Sequence, residues 1–339
     1  MGSLRRRSVT LPLLATASVL GWLAAPVLLA GAALVDLVRP RRAIASRLTA
    51  FGLAYLALES LGVLAAGLSW LWPSRGARFL ERSYALQRAW SGAMFRAASR
   101  ALSLRVEVEG TDALDGGPFV LLMRHASLID TVLPSVLVAN PRRRRLRYVL
   151  KRELLWDPCL DLVGNRLPNH FVDRADVRDE DLAAIGALGV GLRPGDGVML
   201  YPEGTFFTEA RRARELARMK ERGSKYYDRA RALERTLPPR VGGLDAILSA
   251  APALDVVVCA HRGLGGFARL PDIARGGVVG ATIEVRFWRV RRADVPDGRE
   301  ARQAWLYEQW EAVDRFARGE LAREPVRAGV SASAPEAAS

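Results

Sequence analysis

The residues best suited to chemistry in this chain are His125 and Asp130, carried by the stretch Phe119–Asp130, FVLLMRHASLID. A histidine that titrates near neutral pH can take a proton from an alcohol. A carboxylate on its other ring nitrogen then fixes the tautomer and balances the charge. Five positions along one continuous helix would place the two side chains on different faces, because 3.6-residue periodicity favours spacings of three or four. The pair can therefore meet only if His125 precedes a helix that begins near Ser127. Ser127-Leu128-Ile129-Asp130 has the Ser-x-x-acid form of a capping box, which predicts that start independently. Taken alone, the same spacing also suits a structural histidine beside an aspartate that merely caps its helix.

Two further groups of residues also follow short apolar runs. Tyr201-Pro202-Glu203-Gly204-Thr205 comes directly after Val198–Tyr201. Gly204 lets backbone N–H groups turn inward, and the Thr205 hydroxyl can donate to an oxyanion or a phosphate; an ordinary strand-ending turn is the plain alternative. Phe171-Val172-Asp173-Arg174 delivers an arginine whose planar fork suits a phosphate monoester, or equally a surface ion pair with Asp176 or Asp179. Polar motifs at the ends of strands in one α/β sheet gain weight jointly, because ligands bind at such ends.

The elements that must position these residues alternate. Strand-like runs cover Leu104–Val108, Phe119–Met123, Arg147–Leu150, Asn169–Val172, Val198–Tyr201, Leu254–Ala260 and Ala281–Trp288. Helical patterns fill the gaps, notably Leu128–Ala139, Glu180–Leu192 and Thr208–Leu237, with more at Asp245–Ala251 and Glu300–Gly319. This order predicts an α/β fold with a mixed, largely parallel sheet flanked by helices. In the arginine-rich stretch Glu209–Arg235, the interspersed Glu215, Glu221, Asp228 and Glu234 predict a solvated, ion-paired helix face.

Ahead of this domain the chain is apolar. No charge occurs from Leu11 to Val35, 25 residues, enough for a helix to cross a bilayer core of ~30 Å. A second apolar stretch, Leu48–Trp72, is broken by Glu59. Arg5 to Arg7, the Arg39–Arg47 loop and Arg75 to Arg82 show no clear positive-inside bias between two full spans. Either Pro26 and Glu59 mark a shallow helical hairpin, or the topology is set elsewhere. The expected organisation is a membrane-anchoring helical segment over 1–75, a catalytic domain over 76–324 and a small-residue, Pro-containing disordered tail over 325–339. The formal net charge of +14 points to anionic partners such as phospholipid surfaces. Cys159 and Cys259 sit in apolar contexts and read as buried thiols, as in a reducing compartment.

RHASLID, FVDR and YPEGT, in this order, resemble the first three motifs of the glycerolipid acyltransferase family related to 1-acylglycerol-3-phosphate acyltransferase. KRELLWDP (Lys151 to Pro158) is similar to the lysine-glutamate-leucine segment that this family carries before its arginine motif. FFTEAR, LPPRVGG and LDVVV further resemble the lysocardiolipin acyltransferase-like branch. The resemblance covers roughly residues 104–290 and implies a glycerol-3-phosphate acyltransferase-like fold. It implies His125 as general base and Asp130 as its orienting partner. It also implies that Arg174, Glu203, Gly204 and Thr205, with Lys151, hold the acceptor's phosphate. The partners implied are a phospholipid membrane, a lysophospholipid acceptor and acyl-CoA or acyl carrier protein as co-substrate. No cofactor, metal or acyl-enzyme is expected, and the site should lie on the cytoplasmic face of the cell membrane. Three features depart from the family pattern: Arg124 stands where asparagine is usual, 161–170 lacks the aromatic, glycine-rich character, and LDVVV replaces the bacterial Pro-bearing motif.

Other function classes fit less of the chain. A metal-dependent hydrolase would have to use His125, Asp130 and Glu203 with His170 or His261, yet the chain has three histidines and no His-x3-His spacing. A non-catalytic membrane scaffold leaves the strand-end motifs without a purpose. Nucleic-acid binding would rest on net charge alone, and no nucleic-acid partner is expected.

Overall fold

The computed structural model describes residues 2–39, 42–71, 76–127, 129–173, 178–267 and 270–320. Arg174, Asp176, Leu128 and the 325–339 tail lie outside these described residues. Seven strands occur among them: β1 (Arg105–Glu109), β2 (Phe119–Met123), β3 (Arg145–Lys151), β4 (His170–Val172), β5 (Asp196–Leu200), β6 (Asp255–Arg262) and β7 (Thr282–Val290). They form one sheet in the order β1-β7-β6-β2-β5-β3-β4. Every neighbouring pair is parallel except β6–β7, so the expected mixed, largely parallel sheet is what forms.

The helices are α1 (Ser3–Leu23), α2 (Ala25–Val38), α3 (Ile44–Leu71), α4 (Ala77–Leu102), α5 (Asn140–Arg142), α6 (Pro158–Gly164), α7 (Asp179–Ala187), α8 (Glu209–Glu221), α9 (Tyr227–Ala232), α10 (Gly242–Ala250), α11 (Leu270–Ala274) and α12 (Arg299–Arg318). β2 lies mid-sheet and is buried on both faces, as its unbroken apolar sequence requires. The period of two sends Val120 and Leu122 into one core with Val198, Leu200, Ile247 and Trp310. Phe119, Leu121 and Met123 enter the other, with Phe95 and Leu102 of α4 and with Ile44 at the start of α3.

Two expected helices form differently. Leu128–Ala139 is a 3-10 turn at Ile129–Thr131 followed by a π-helical turn at Pro134–Ala139. Pro134 has no N–H to continue an α-helical ladder, and Asp130 spends its carboxylate on the residues before it. The long basic helix breaks at Gly223, whose φ of +59° ends α8. α9 is short, and Leu233–Leu237 is non-helical. The expected ion pairing on this segment is present in Arg218–Glu215, Arg231–Asp228 and Arg229–Glu311.

The apolar amino-terminal helices also depart from a plain pair of spans. α1 and α2 meet at a bend of 67°, where Pro26 starts a new helix rather than extending the old one. Among the described residues, α3 is the one helix long and apolar enough by itself to cross a membrane, and α1 and α2 pass the same test only together as a bent pair. The polar side of α3 nevertheless bonds to the rest of the fold from end to end. Arg47 donates to Ala101 O at 2.6 Å, Tyr55 Oη to Asp157 at 3.2 Å, and Glu59 accepts from Cys159 N at 2.7 Å and Trp90 Nε1 at 3.1 Å. Arg166 closes the far end on Ala66 O and Ser69. Buried Asp161 of α6 clamps the start of α1 through Arg6 and Arg7.

Candidate active site

Parallel strands place their carboxyl ends along one edge. Leu122 of β2 is in register with Leu200 of β5, and Met123 with Cys259 of β6. The residues just beyond the ends of β2 and β5, His125 and the 201–205 turn, therefore converge with His261, the last residue but one of β6. His125 Nδ1 lies 2.8 Å from Asp130 Oδ1. Asp130 Oδ2 accepts from the backbone N–H groups of Ala126 and Ser127, the latter at 2.8 Å, while Ser127 Oγ accepts from Asp130 N at 3.4 Å. This is the reciprocal bonding of a capping box, built around a 3-10 rather than an α-helical turn. An acceptor carboxylate on Nδ1 puts the ring proton there and leaves the lone pair on Nε2. Nε2 has no hydrogen-bond partner among the described residues.

The imidazole side chain is only 7% exposed and is held between rings. Tyr201 stacks on it at 4.3 Å between centroids, and Phe206 meets it edge-on at 5.8 Å. Tyr201 Oη donates to Asp130 O at 3.1 Å, and Phe207 N to His125 O at 2.8 Å. The segment 201–207 thus wraps the histidine. Gly204 takes a φ of +72°, a backbone conformation that favours glycine. The Thr205 hydroxyl that follows has no hydrogen-bond partner among the described residues.

Glu203 does not serve as a phosphate contact. Both of its oxygens are taken by backbone, Oε1 by His125 N at 2.8 Å and Oε2 by Leu237 N at 2.8 Å, so neither is turned toward a ligand. Burial pushes its carboxyl up to about 8, against the pull of nearby Arg124 and the two N–H groups. Its position makes it a strut that fixes where His125 leaves β2. Lys151 also sits apart. It ends β3, two strands from β2, and its exposed ammonium pairs with Glu153 at 3.0 Å. The structure thus assembles His125, Asp130, Glu203, Gly204 and Thr205, and leaves Lys151 at the rim.

Residue patterns alone do not reveal the two groups behind the pair. Buried Arg124 donates to His261 O at 2.8 Å and to Arg235 O at 2.7 Å. His261 returns the contact through Nε2 to Arg124 O at 2.9 Å, with Asp130 Oδ2 3.6 Å away. Burial lowers His261 to about 4, so it is neutral at physiological pH and presents a dipole, not a charge, to Asp130. The signal for Arg124 was its replacement of a usual asparagine; for His261 it was only its place at the end of a neighbouring strand. No group of three or more His, Cys, Asp or Glu residues among the described residues could hold a metal ion.

Residues 105–261 match the model of the family described as Acyltransferase, so this stretch is an acyltransferase domain and the class is that of acyl-transferring enzymes. Among solved structures, the chain is similar to the 1-acyl-sn-glycerophosphate (LPA) acyltransferase PlsC from Thermotoga maritima. The TM-score is 0.52 at 15% identity, over 80% of this chain and 97% of that one. At that identity the likeness establishes a shared fold. No curated protein matches the chain in sequence.

Proposed function

We propose that this protein is a membrane-attached acyltransferase that moves a fatty acyl group from acyl-CoA or acyl carrier protein to the free hydroxyl of a lysophospholipid. The acceptor that best fits the family match and the fold is 1-acyl-sn-glycerol-3-phosphate, with phosphatidate as product. The observation that carries the reading is the 2.8 Å contact of His125 Nδ1 with Asp130, which leaves Nε2 unpartnered beside a glycine turn at the strand ends.

In the reaction, His125 Nε2 takes the proton of the acceptor hydroxyl as its oxygen attacks the thioester carbonyl carbon. The tetrahedral intermediate collapses, the C–S bond breaks, and the imidazolium returns the proton to the departing thiolate. An ester and a free thiol result. Asp130 offsets the imidazolium charge, and the Thr205 hydroxyl is free to donate to the acceptor's phosphate. Ser127 is no nucleophile in this scheme, because its hydroxyl caps Asp130 N.

The exposed apolar side chains support attachment. Leu20, Trp22, Leu23 and Val27 on α1 and α2, and Leu61, Leu64, Leu68 and Trp70 on α3, face outward. The bonds that tie α3 to the domain from Arg47 to Ser69 support a placement of this helix in one leaflet beside the domain. Two free, buried cysteines suit a cytoplasmic-face location. The test is His125→Ala, assayed for mass-resolved phosphatidate formation from lysophosphatidate with each donor. Activity should fall by ~10²–10⁴ while the variant stays in the membrane fraction, and undiminished turnover would remove His125 from the mechanism.

A further inference from the structure

We propose that Arg211, in the first turn of α8, is the cation that grips the acceptor's phosphate, and that it thereby selects a phosphate-bearing acceptor over a neutral one. The proposal rests on the acyl-transfer reading and deepens it by naming a specificity-determining residue.

The need for such a residue comes from the site itself. Of the two cations expected to hold the phosphate, Arg174 lies outside the described residues, and Lys151 stands at the rim, paired with Glu153 at 3.0 Å. The Thr205 hydroxyl alone carries no charge to set against a phosphate.

Arg211 reaches the site because of where α8 begins. Thr208 is the N-cap, and its hydroxyl accepts from Arg211 N at 3.2 Å. Helical side chains lean toward the amino end of their helix, so a long side chain in the first turn folds back over the loop that precedes it. The Arg211 guanidinium accordingly lies over the Phe206 ring, 3.9 Å from its centroid, and its Nη1 donates to Phe206 O at 3.0 Å. The same ring meets His125 edge-on at 5.8 Å. Imidazole and guanidinium can therefore be no further apart than these two contacts laid end to end.

The charge is also uncommitted. Nε and Nη2 of Arg211 have no hydrogen-bond partner, and the guanidinium no carboxylate partner, among the described residues. Its neighbours are engaged: Arg212 donates to Leu233 O and Arg231 O, and Arg214 to Ala210 O. Partial burial, and then the charge of Arg214, hold the Arg211 pKa below its ordinary value. A guanidinium half out of water with no counter-charge is stabilised by an incoming anion, and its planar fork suits the two oxygens of a phosphate.

Reach decides whose phosphate this is. The acceptor hydroxyl must lie ~2.6–3.2 Å from Nε2 to give up its proton. In 1-acyl-sn-glycerol-3-phosphate only two carbons and an ester oxygen separate that hydroxyl from the phosphorus, so the phosphate falls between imidazole and guanidinium. In a coenzyme A thioester the whole pantetheine arm lies between the reacting carbonyl and the first phosphate, which carries it past Arg211.

The experiment uses the full chain purified in a neutral detergent, with Arg211→Gln and Arg211→Lys beside it and melting temperatures to confirm folding. Binding of 1-acyl-sn-glycerol-3-phosphate and of the neutral 1-acylglycerol is measured by calorimetry without donor, and KM for acceptor and donor is then measured with donor present. The native chain should prefer the phosphate-bearing ligand. Arg211→Gln should weaken that ligand about tenfold or more, as loss of a charge-assisted hydrogen bond implies, so that the preference collapses, and Arg211→Lys should restore most of it. The acceptor KM should rise in step while the donor KM holds. A native chain without the preference, or an Arg211→Gln chain that keeps it, would overturn the proposal. Equal weakening of both ligands would make Arg211 a brace for Phe206 and nothing more, and a rise confined to the donor KM would give the anion to the donor; either result also overturns it. Phosphatidate formed by a chain indifferent to Arg211 leaves the acyl-transfer reading standing alone. Arg211-dependent binding with no acyl product from either donor leaves the phosphate assignment standing and removes the acyl-transfer reading.

Discussion

Asp130→Asn separates the orienting role of the carboxylate from its structural one. Asp130 accepts from three donors: His125 Nδ1 on one oxygen, and the Ala126 and Ser127 amides on the other. Asparagine keeps only one acceptor oxygen. If that oxygen stays with the two amides, the NH2 group faces Nδ1, which must then accept, and the ring proton moves to Nε2. If the NH2 group faces the amides, donors oppose donors, at ~1–3 kcal/mol for each buried group left unsatisfied. The first orientation wins, so the variant folds with the wrong tautomer. Its base is gone, and the rate should fall by ~10²–10⁴, or ~3–5.5 kcal/mol in the barrier at 1.36 kcal/mol per decade. Steady-state kcat with both substrates saturating, measured beside the melting temperature, is the assay. A kcat within about threefold of the native value in a normally folded variant would refute the orienting role, since general-base assistance is worth far more.

Two further changes probe the supports of the site. Glu203 stays protonated in the fold up to about 8, whereas the unfolded chain releases that proton near ~4.3. The stability this contributes is full below ~4.3 and is lost as pH rises through about 8. The melting temperature of Glu203→Gln should therefore fall less steeply from pH 5 to pH 8.5 than that of the native chain; parallel slopes would contradict the assignment. Asp161→Ala strands Arg6 against the domain and frees Arg7, and breaking such a buried pair costs ~3–5 kcal/mol. Proteolysis within α1 should speed up along with a lower melting temperature, and unchanged cleavage would show that the clamp is ornamental.

Local features of the chain were legible because their causes are local. The run at 119–123 reads as a buried strand from its unbroken apolar residues, and it is one. The placing of His125 before a turn capped by Ser127 follows from side-chain spacing and matches the bonding seen. Reading failed where a single residue overrides the periodic pattern. Pattern alone carried a helix through 128–139, but Asp130 folds back onto its own turn and Pro134 interrupts the ladder. Apolar length suggested a 25-residue span, with Pro26 the mark of a hairpin in its place, and the chain does bend before Pro26.

The sequence by itself determined the strands to within two residues at each end, the proximity of an imidazole to a carboxylate, and the apolar character of the amino terminus, since each depends on neighbours a few residues away. Only the tertiary structure decided that Glu203 braces backbone 34 and 78 residues away, that His261 stands behind Asp130, and that α3 runs along the domain. The reason is physical: a buried polar group takes whichever partner the fold brings within 3 Å, and no periodicity in the chain encodes which one that will be.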